Sequence, residues 1–304
     1  MYDKGLFIYN GNAGSVDEGQ LGMVLGILSP ELPELNVRRT SKPGEAKQLC
    51  RDLGEQYDVV YIFGGDGTVH ECINGLADLE HPPVIGVLPG GTCNDFSRAL
   101  FMPQQLQRAA EALILRHTRT LDIGTANGHY FTNFYGIGLI SETSQNINAD
   151  MKGAFGKLSY FLSTLQTVRT AQQFRFQLEH DDGELSGEAV MIYAANGRYL
   201  GTNPLPFHDK SLQDGLLDVL VIREAGLPLL RELLSRKVPG EWAPQNDNIQ
   251  YIRTSRLHVI TDKPMAADTD GEIYLQTPGK LGVLPGKLTF LVGEPEDVTS
   301  SSNG

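Results

Sequence analysis

Short apolar runs alternate with helix-like stretches over the first hundred or so residues. Residues 6–9, 35–40, 61–63 and 84–88 predict strands. Residues 20–28, 44–57 and 68–79 carry apolar side chains at helical spacing, and we expect the last of these helices to begin at a Thr68 cap and to stop before Pro82. This alternation is typical of a parallel sheet covered on both faces by helices.

The pattern changes from about residue 121 onwards. Residues 174–178, 188–194, 216–222, 257–261, 273–276 and 287–292 predict strands, and Asp182-Gly183 marks a hairpin. One helix is expected at residues 228–237. The second half is therefore predicted to be mostly antiparallel β-structure, and a chain of 304 residues is long enough for two domains.

Three predicted strands of the first half run directly into glycine-rich turns. The turns are Asn10-Gly11-Asn12-Ala13-Gly14, Gly64-Gly65-Asp66-Gly67-Thr68 and the segment PGGTCNDF at residues 89–96. Loops that follow parallel strands gather at one edge of the sheet, where glycines and helix N-termini can approach an anion closely. Each turn alone could be an ordinary connection. Together they predict a phosphate-binding site.

Composition narrows the classes of protein that fit this sequence. The chain is 40% hydrophobic and 20% charged, which is typical of a soluble globular protein. It has no apolar run long enough for a bilayer and no signal-peptide pattern at its start, so we expect a cytoplasmic protein. Its 3 cysteines are isolated, which argues against a disulfide framework or a zinc site. A net charge of -12 argues against nucleic-acid binding, while a lipid substrate stays compatible.

Several acids are candidates for chemistry. Asp66 either holds a metal-bound phosphate or accepts N–H groups of its own turn, and Asp95 lies in a polar trio with Thr92 and Asn94. The segment DTDGE at residues 268–272 fits a β-turn and lacks the spacing of a calcium loop. The turn at residues 214–216 could also supply a carboxylate to Mg²⁺. The P-loop, dinucleotide and protein-kinase motifs are all absent.

At these residues the chain resembles the bacterial lipid kinase family that contains soluble diacylglycerol kinases. It is also similar to the catalytic domain of eukaryotic diacylglycerol and sphingosine kinases. The GGDGT run at residues 64–68 is shared with NAD kinases, whereas PGGTCNDFSR at residues 89–98 together with the DGE run at residues 270–272 is specific to the lipid branch. The resemblance extends over nearly the whole chain.

The resemblance implies a fold and a set of roles. The fold is an α/β nucleotide-binding domain with a parallel sheet at residues 1–122, a β-sandwich domain at residues 123–287 and a segment at about 288–300 that returns to the first domain. Glu272 is implied to be the proton acceptor, with Asp66 and Asp95 in the active centre. The matched ATP-binding positions are Asn10, Gly11, Asn12, Ala13, Gly14, Thr40, Gly65, Asp66, Gly67, Thr68, Val69, His70, Glu71 and Thr92.

The resemblance also implies cofactors and partners. A structural Mg²⁺ would be held by Ser211, Asp214 and the backbone of Leu216, and Lys157 matches a family lysine. We expect an ATP-dependent lipid kinase that converts diacylglycerol to phosphatidic acid, with transient peripheral contact at the inner membrane surface; a homodimer is left open. The alternatives are a NAD kinase-like phosphotransferase and a non-catalytic nucleotide-binding regulator, for which Gly11 and Ser15 are the only hints.

Overall fold

The computed structural model describes residues 2–11, 17–146, 172–207, 211–224, 244 and 247–294. The N-terminal part alternates strands and helices. Its strands are β1 Lys4–Asn10, β2 Glu34–Thr40, β3 Val59–Gly64 and β4 Val84–Pro89, and its helices are α1 Glu18–Leu28, α2 Glu45–Leu53, α3 Asp66–Leu76, α4 Asp95–Ala99 and α5 Leu106–Ile114. Two short 3₁₀ turns, Ser29–Glu31 and Gly54–Gln56, follow α1 and α2.

The rest of the described chain is mostly β-structure. Its strands are β5 Thr118–Ala126, β6 His129–Phe131, β7 Phe134–Gly138, β8 Phe174–His180, β9 Gly183–Ala189, β10 Met191–Ala195, β11 Tyr199–Leu200, β12 Asn203–Pro204, β13 Leu217–Ile222, β14 Ile249–Thr254, β15 Arg256–Thr261, β16 Ala266–Thr269, β17 Glu272–Gln276 and β18 Gly279–Leu291. One helix, α6 Leu139–Asn146, follows β7.

Two large sheets organise these strands. The first has the order β2-β1-β3-β4-β18-β15-β8-β9, and its first four strands are parallel. The second has the order β14-β13-β10-β7-β16-β17 and is antiparallel throughout. Long strand β18 pairs with β15 and β5 and, at Phe290↔Ile85, runs parallel to β4. The expected α/β domain with an antiparallel β-sandwich is therefore confirmed.

Separate apolar clusters fill the two parts. The first surrounds the parallel sheet and includes the fully buried side chains of Phe7, Ile62 and Phe290. Another lies against the antiparallel strands and includes Leu178 and Val219. The predicted boundary at residues 122/123 stays a prediction; β5 spans it, so the chain passes between the two parts without leaving the first sheet.

Three local predictions were wrong or lie outside the described residues. Helix α3 begins at Asp66 with Gly65 as its cap, so Thr68 lies inside the first turn rather than before it. The predicted strand at residues 188–194 is two strands that break at Val190, whose N–H bonds to Ile222 O. The helix expected at residues 228–237 lies outside the described residues. Among the described residues, no helix is both long and apolar enough to cross a membrane.

Candidate active site

The ends of β1, β3 and β4 meet at one edge of the parallel sheet. In the strand register Tyr9 pairs with Phe63, and Gly64 pairs with Pro89, so the turns that follow start side by side. The N–H of Gly11 bonds to Thr40 O at 2.9 Å, which brings the end of β2 to the same edge. The glycine turns at residues 64–68 and 89–94 and the start of the first turn are thus brought together; Asn12, Ala13 and Gly14 lie outside the described residues.

The second and third glycine turns are in direct backbone contact. A Cβ on Gly91 would lie 2.5 Å from Gly65 Cα, and a Cβ on Gly90 would lie 3.0 Å from Gly64 Cα. Asn94, in the left-handed conformation at φ 54°, accepts the Gly91 N–H at 2.7 Å and donates to Gly91 O at 2.9 Å. Only glycine permits this spacing, which leaves the N-termini of α3 and α4 adjacent.

Asp66 and Asp95 connect this edge to its surroundings. The Asp66 carboxylate accepts the Phe96 N–H at 3.2 Å and so reaches the first turn of α4. Asp95 is completely buried and accepts the N–H groups of Gly201 and Thr202 at 2.6 and 2.7 Å. Asp66 therefore does act as a turn acceptor, as the simpler interpretation held, but the turn belongs to the neighbouring loop. The partners of Asp95 carried no signal in the sequence.

Both acids have perturbed pKa values. Removal from water raises the pKa of Asp66, and the N–H groups of α4 counter this in part. Burial, and then the nearby charge of Asp66, raises the pKa of Asp95 to about 7 despite its two backbone donors. Two acids whose ionised forms are disfavoured beside a pair of glycine turns are the kind of site that a cation-bound phosphate would stabilise.

Glu272 lies across from the glycine turns. It opens β17 immediately after the turn at Asp270-Gly271, where both residues have positive φ, 54° and 91°. A Cβ on Gly67 would lie 3.3 Å from Glu272 Oε1, so the carboxylate sits over the first turn of α3. The turn predicted at the DGE run is present, and it is this turn that brings Glu272 to the edge where the glycine turns meet.

One imidazole joins α3 to this turn. His70 is 4% exposed, its Nδ1 lies 3.0 Å from Asp270 Oδ2, and its Nε2 lies 2.6 Å from the Tyr274 hydroxyl. One turn further along α3, Asn74 pairs with both backbone groups of Tyr130 in β6, at 2.8 and 3.0 Å. Burial raises the pKa of Tyr274 to about 12. Sequence reasoning grouped His70 with the ATP-binding positions and missed this contact with the distal turn.

Beside Glu272 lies a cavity of 270 Å³. It is lined by Gly44, Lys47, His70, Glu71, Asn74, His129, Glu272 and Tyr274. At its wall the Glu71 carboxylate accepts the N–H groups of Gly44 and Ala46 at 2.9 and 3.2 Å, which caps α2. Glu71 thus has a structural partner in addition to its expected position beside a nucleotide.

The remaining expected residues occupy different environments. Thr40 is buried, with its hydroxyl 3.3 Å from Tyr9 O. Thr68 packs beneath Gly64, where a Cβ would meet it at 2.6 Å, and Val69 points into the core. Thr92 is exposed at the glycine edge. Lys157 lies outside the described residues.

At the expected structural Mg²⁺ position, which stays a prediction, the carboxylate of Asp214 is paired with a guanidinium. Ser211 Oγ accepts the Gln213 N–H at 3.0 Å, and Asp214 Oδ1 accepts the Leu216 N–H at 3.1 Å. The other Asp214 oxygen lies 2.6 Å from the Arg253 guanidinium, which also contacts Asp218 at 3.3 Å. The three oxygen donors suit a hard cation in type, but Arg253 already neutralises their only carboxylate. No group of three or more metal-ligating side chains was found within the described ranges.

Comparison with protein families covers both parts of the chain. Residues 4–126 match the diacylglycerol kinase catalytic domain. Residues 136–292 match the YegS C-terminal NAD kinase beta sandwich-like domain.

Relatives and solved structures agree with these matches. A Staphylococcus aureus (strain MRSA252) protein named "Putative lipid kinase" is 35% identical over 299 residues, which cover 95% of this chain and 97% of that protein. A crystal structure titled as that of "a putative diacylglycerol kinase" from Bacillus anthracis str. Sterne is 37% identical, with a TM-score of 0.87 and coverage of 96% of this chain and 97% of the other. A second B. anthracis structure, titled as that of a diacylglycerol kinase, is 36% identical, with a TM-score of 0.85 and coverage of 96% and 97%.

Proposed function

Because the chain belongs to the lipid kinase family that carries the diacylglycerol kinase catalytic domain, we propose that it transfers the γ-phosphate of ATP to a lipid hydroxyl. Diacylglycerol is the first acceptor to test, with phosphatidic acid as the product. The observation that carries the proposal is the position of Glu272, whose carboxylate lies over Gly67 in the first turn of α3. A carboxylate opposite a phosphate-binding turn suits the removal of a proton from an alcohol.

The glycine edge supplies the binding half of this reaction. The contacts between the turns at residues 64–68 and 89–94 bring the N-terminus of α3 beside the start of α4, and a helix N-terminus at such an edge favours the phosphates of ATP. Phosphoryl transfer depends on positioning and on charge neutralisation more than on covalent help. In this proposal Asp66 would hold the Mg²⁺ that accompanies ATP, and the cation would neutralise phosphate charge. The buried Asp95, whose two oxygens accept the N–H groups of Gly201 and Thr202, would fix the neighbouring loop of the active centre.

The acceptor half requires only one group from the second part of the chain. An alcohol proton leaves as its oxygen bonds to phosphorus, while the bond between that phosphorus and the bridging oxygen of ADP breaks. Glu272 takes the proton and ADP leaves with the electrons of the broken bond. General-base catalysis of this type contributes about 10²- to 10⁴-fold to the rate.

The test compares single carboxylate deletions. Glu272→Ala and Asp66→Ala are expected to fold, as judged by circular dichroism, and to lose at least 100-fold of the Mg²⁺-dependent transfer of labelled phosphate to lipid. The control is Glu111→Ala in α5, where the exposed carboxylate accepts a hydrogen bond from the Gln107 amide at 2.9 Å. If both site variants keep the turnover of this control, the assignment of the chemistry is wrong.

The lipid acceptor also implies contact with a membrane surface. We place this contact on the cytoplasmic face of the inner membrane and expect it to be transient, since a net charge of -12 opposes lasting attachment to anionic lipid. Sedimentation with vesicles tests it: binding should increase when diacylglycerol is added to neutral vesicles. Equal binding with and without diacylglycerol contradicts it.

A further inference from the structure

His70 holds two residues that flank Glu272 on either side. Asp270 lies two positions before Glu272 and Tyr274 two positions after it, and the single imidazole contacts both, at 3.0 Å and 2.6 Å. Alternate residues of a strand point to the same face, so Glu272 and Tyr274 share the face of β17 that meets α3. The contact therefore brackets the carboxylate that the proposed function uses as its base.

The hydrogen-bond directions follow from the groups around the imidazole. The Asp270 carboxylate also accepts the N–H groups of Thr132, Asn133 and Phe134, at 2.9, 2.8 and 3.0 Å, and the Thr132 hydroxyl at 3.2 Å, so it acts as an acceptor and His70 Nδ1 donates to it. On the other side, His70 Nε2 lies 2.6 Å from the Tyr274 hydroxyl and 3.4 Å from the Asn74 amide nitrogen, and since both are donors we assign Nε2 as the acceptor. The two hydrogen bonds therefore run in one direction, from Tyr274 through His70 to Asp270, and each has one donor and one acceptor.

The residues that this series of hydrogen bonds joins are fixed on both sides. Asp270 is fixed to the start of β7 by its backbone donors, and its own N–H bonds to Phe134 O at 3.2 Å. His70 is fixed within α3, whose first turn carries Asp66 and Gly67. A displacement of about 1 Å at a reacting group can cost about 100-fold in rate, so a rigid link between α3 and β17 has a direct kinetic value.

We propose that His70 is a positioning residue, which locks the turn at residues 269–272 onto α3 and thereby sets the height of the Glu272 carboxylate above Gly67. Tyr274 supplies the second contact of this lock, with His70 Nε2, on the C-terminal side of Glu272. The role of Glu272 as a base rests on the proposed function, whereas the lock itself is a property of the fold.

The variants separate the lock from general stability. His70→Leu removes both bonds, Tyr274→Phe removes one, and His70→Gln keeps an amide that can donate to Asp270 and accept from Tyr274. The matched control is Tyr130→Phe in β6, which removes a hydroxyl that donates to Asp78 at 2.5 Å, just beyond the C-terminal end of α3 and away from Glu272. We expect kcat to fall at least tenfold in His70→Leu and less in Tyr274→Phe, with KM for ATP within about twofold. His70→Gln should recover most of the loss.

Two further readouts decide the proposal. In a Glu272→Gln background, Tyr274→Phe should cause no additional fall in kcat, because its effect passes through Glu272. Amide hydrogen exchange at residues 269–274 should be faster in His70→Leu and unchanged in Tyr130→Phe. Unchanged exchange in His70→Leu overturns the lock, even if the wild-type protein phosphorylates no lipid. Absence of lipid phosphorylation with faster exchange refutes the proposed function alone.

Discussion

The contact between the two glycine turns offers a graded test of the phosphate-binding edge. Gly91→Ala would place a Cβ 2.5 Å from Gly65 Cα, while Gly65→Ala would place one 3.0 Å from Gly91 Cα. Ordinary contact begins at 3.4 Å, so the turns must separate by about 0.9 Å in the first variant and about 0.4 Å in the second. Neither position has a positive φ, so the effect comes from the close approach and not from backbone strain.

The expected losses follow from these displacements. A misplacement of about 1 Å at a reacting centre costs about 100-fold in rate, so Gly91→Ala should lose roughly 100-fold in kcat/KM for ATP. If the loss in activation free energy scales with displacement, Gly65→Ala should lose roughly tenfold. Gly22→Ala in α1 is the control, because a Cβ there meets nothing within 4 Å.

The assay is the initial rate of labelled phosphate transfer from ATP to diacylglycerol in mixed micelles. Thermal unfolding of each variant shows whether the fold is retained. We expect the rate to decrease from the wild type to Gly65→Ala and further to Gly91→Ala, and the rate of Gly22→Ala to equal that of the wild type. If Gly91→Ala stays within twofold of Gly22→Ala, the two turns do not form the phosphate-binding site.

Two other predictions concern carboxylates, one buried and one exposed. The pKa of Asp95 is raised to about 7 from 3.8, so the folded state keeps a proton that the unfolded state has lost, and the free energy of unfolding should fall as pH rises from 5 to 7, by up to about 2 kcal/mol. Urea titrations at several pH values give the free energy of unfolding, and its fall with rising pH should be smaller in Asp95→Asn than in the wild type. An equal fall in both proteins refutes the assignment of the raised pKa to Asp95. At the other site, Asp214→Asn removes one of the two carboxylates that contact Arg253 and should destabilise by on the order of 1 kcal/mol, while MgCl₂ at constant ionic strength should not raise the Tm of the wild type. A Mg²⁺-dependent rise in Tm that Asp214→Asn abolishes contradicts this and supports the structural cation.

The meeting of the glycine turns at one edge could be predicted from the sequence because its signal is local. Each apolar run that forms β1, β3 or β4 is followed directly by glycine, and parallel strands must end at a common edge. The second-half strands also followed from alternation, as at the β8–β9 hairpin with His180 opposite Gly183. Most elements that depend on neighbouring residues were predicted correctly, although the strand expected at residues 188–194 is two strands that break at Val190.

The remainder depends on contacts between residues far apart in the chain. Thr68 was expected to cap α3 as a hydroxyl residue before an apolar run, but Gly65 is already extended at φ -86° and ψ -176°, so the helix starts at Asp66. The donors to Asp95 come from residues 201–202, and His70 meets Asp270 across 200 positions. No spacing rule predicts such pairs, because they follow from the tertiary fold.

One measurement tests the central claim most directly. Purified protein is given ATP labelled at the γ-phosphate, diacylglycerol in mixed micelles and NAD together, with and without Mg²⁺, and the products are separated into organic and aqueous phases. The account predicts Mg²⁺-dependent label in the organic phase as phosphatidic acid, reduced at least 100-fold in Glu272→Ala. Label that appears only in the aqueous phase as phosphorylated NAD would contradict it.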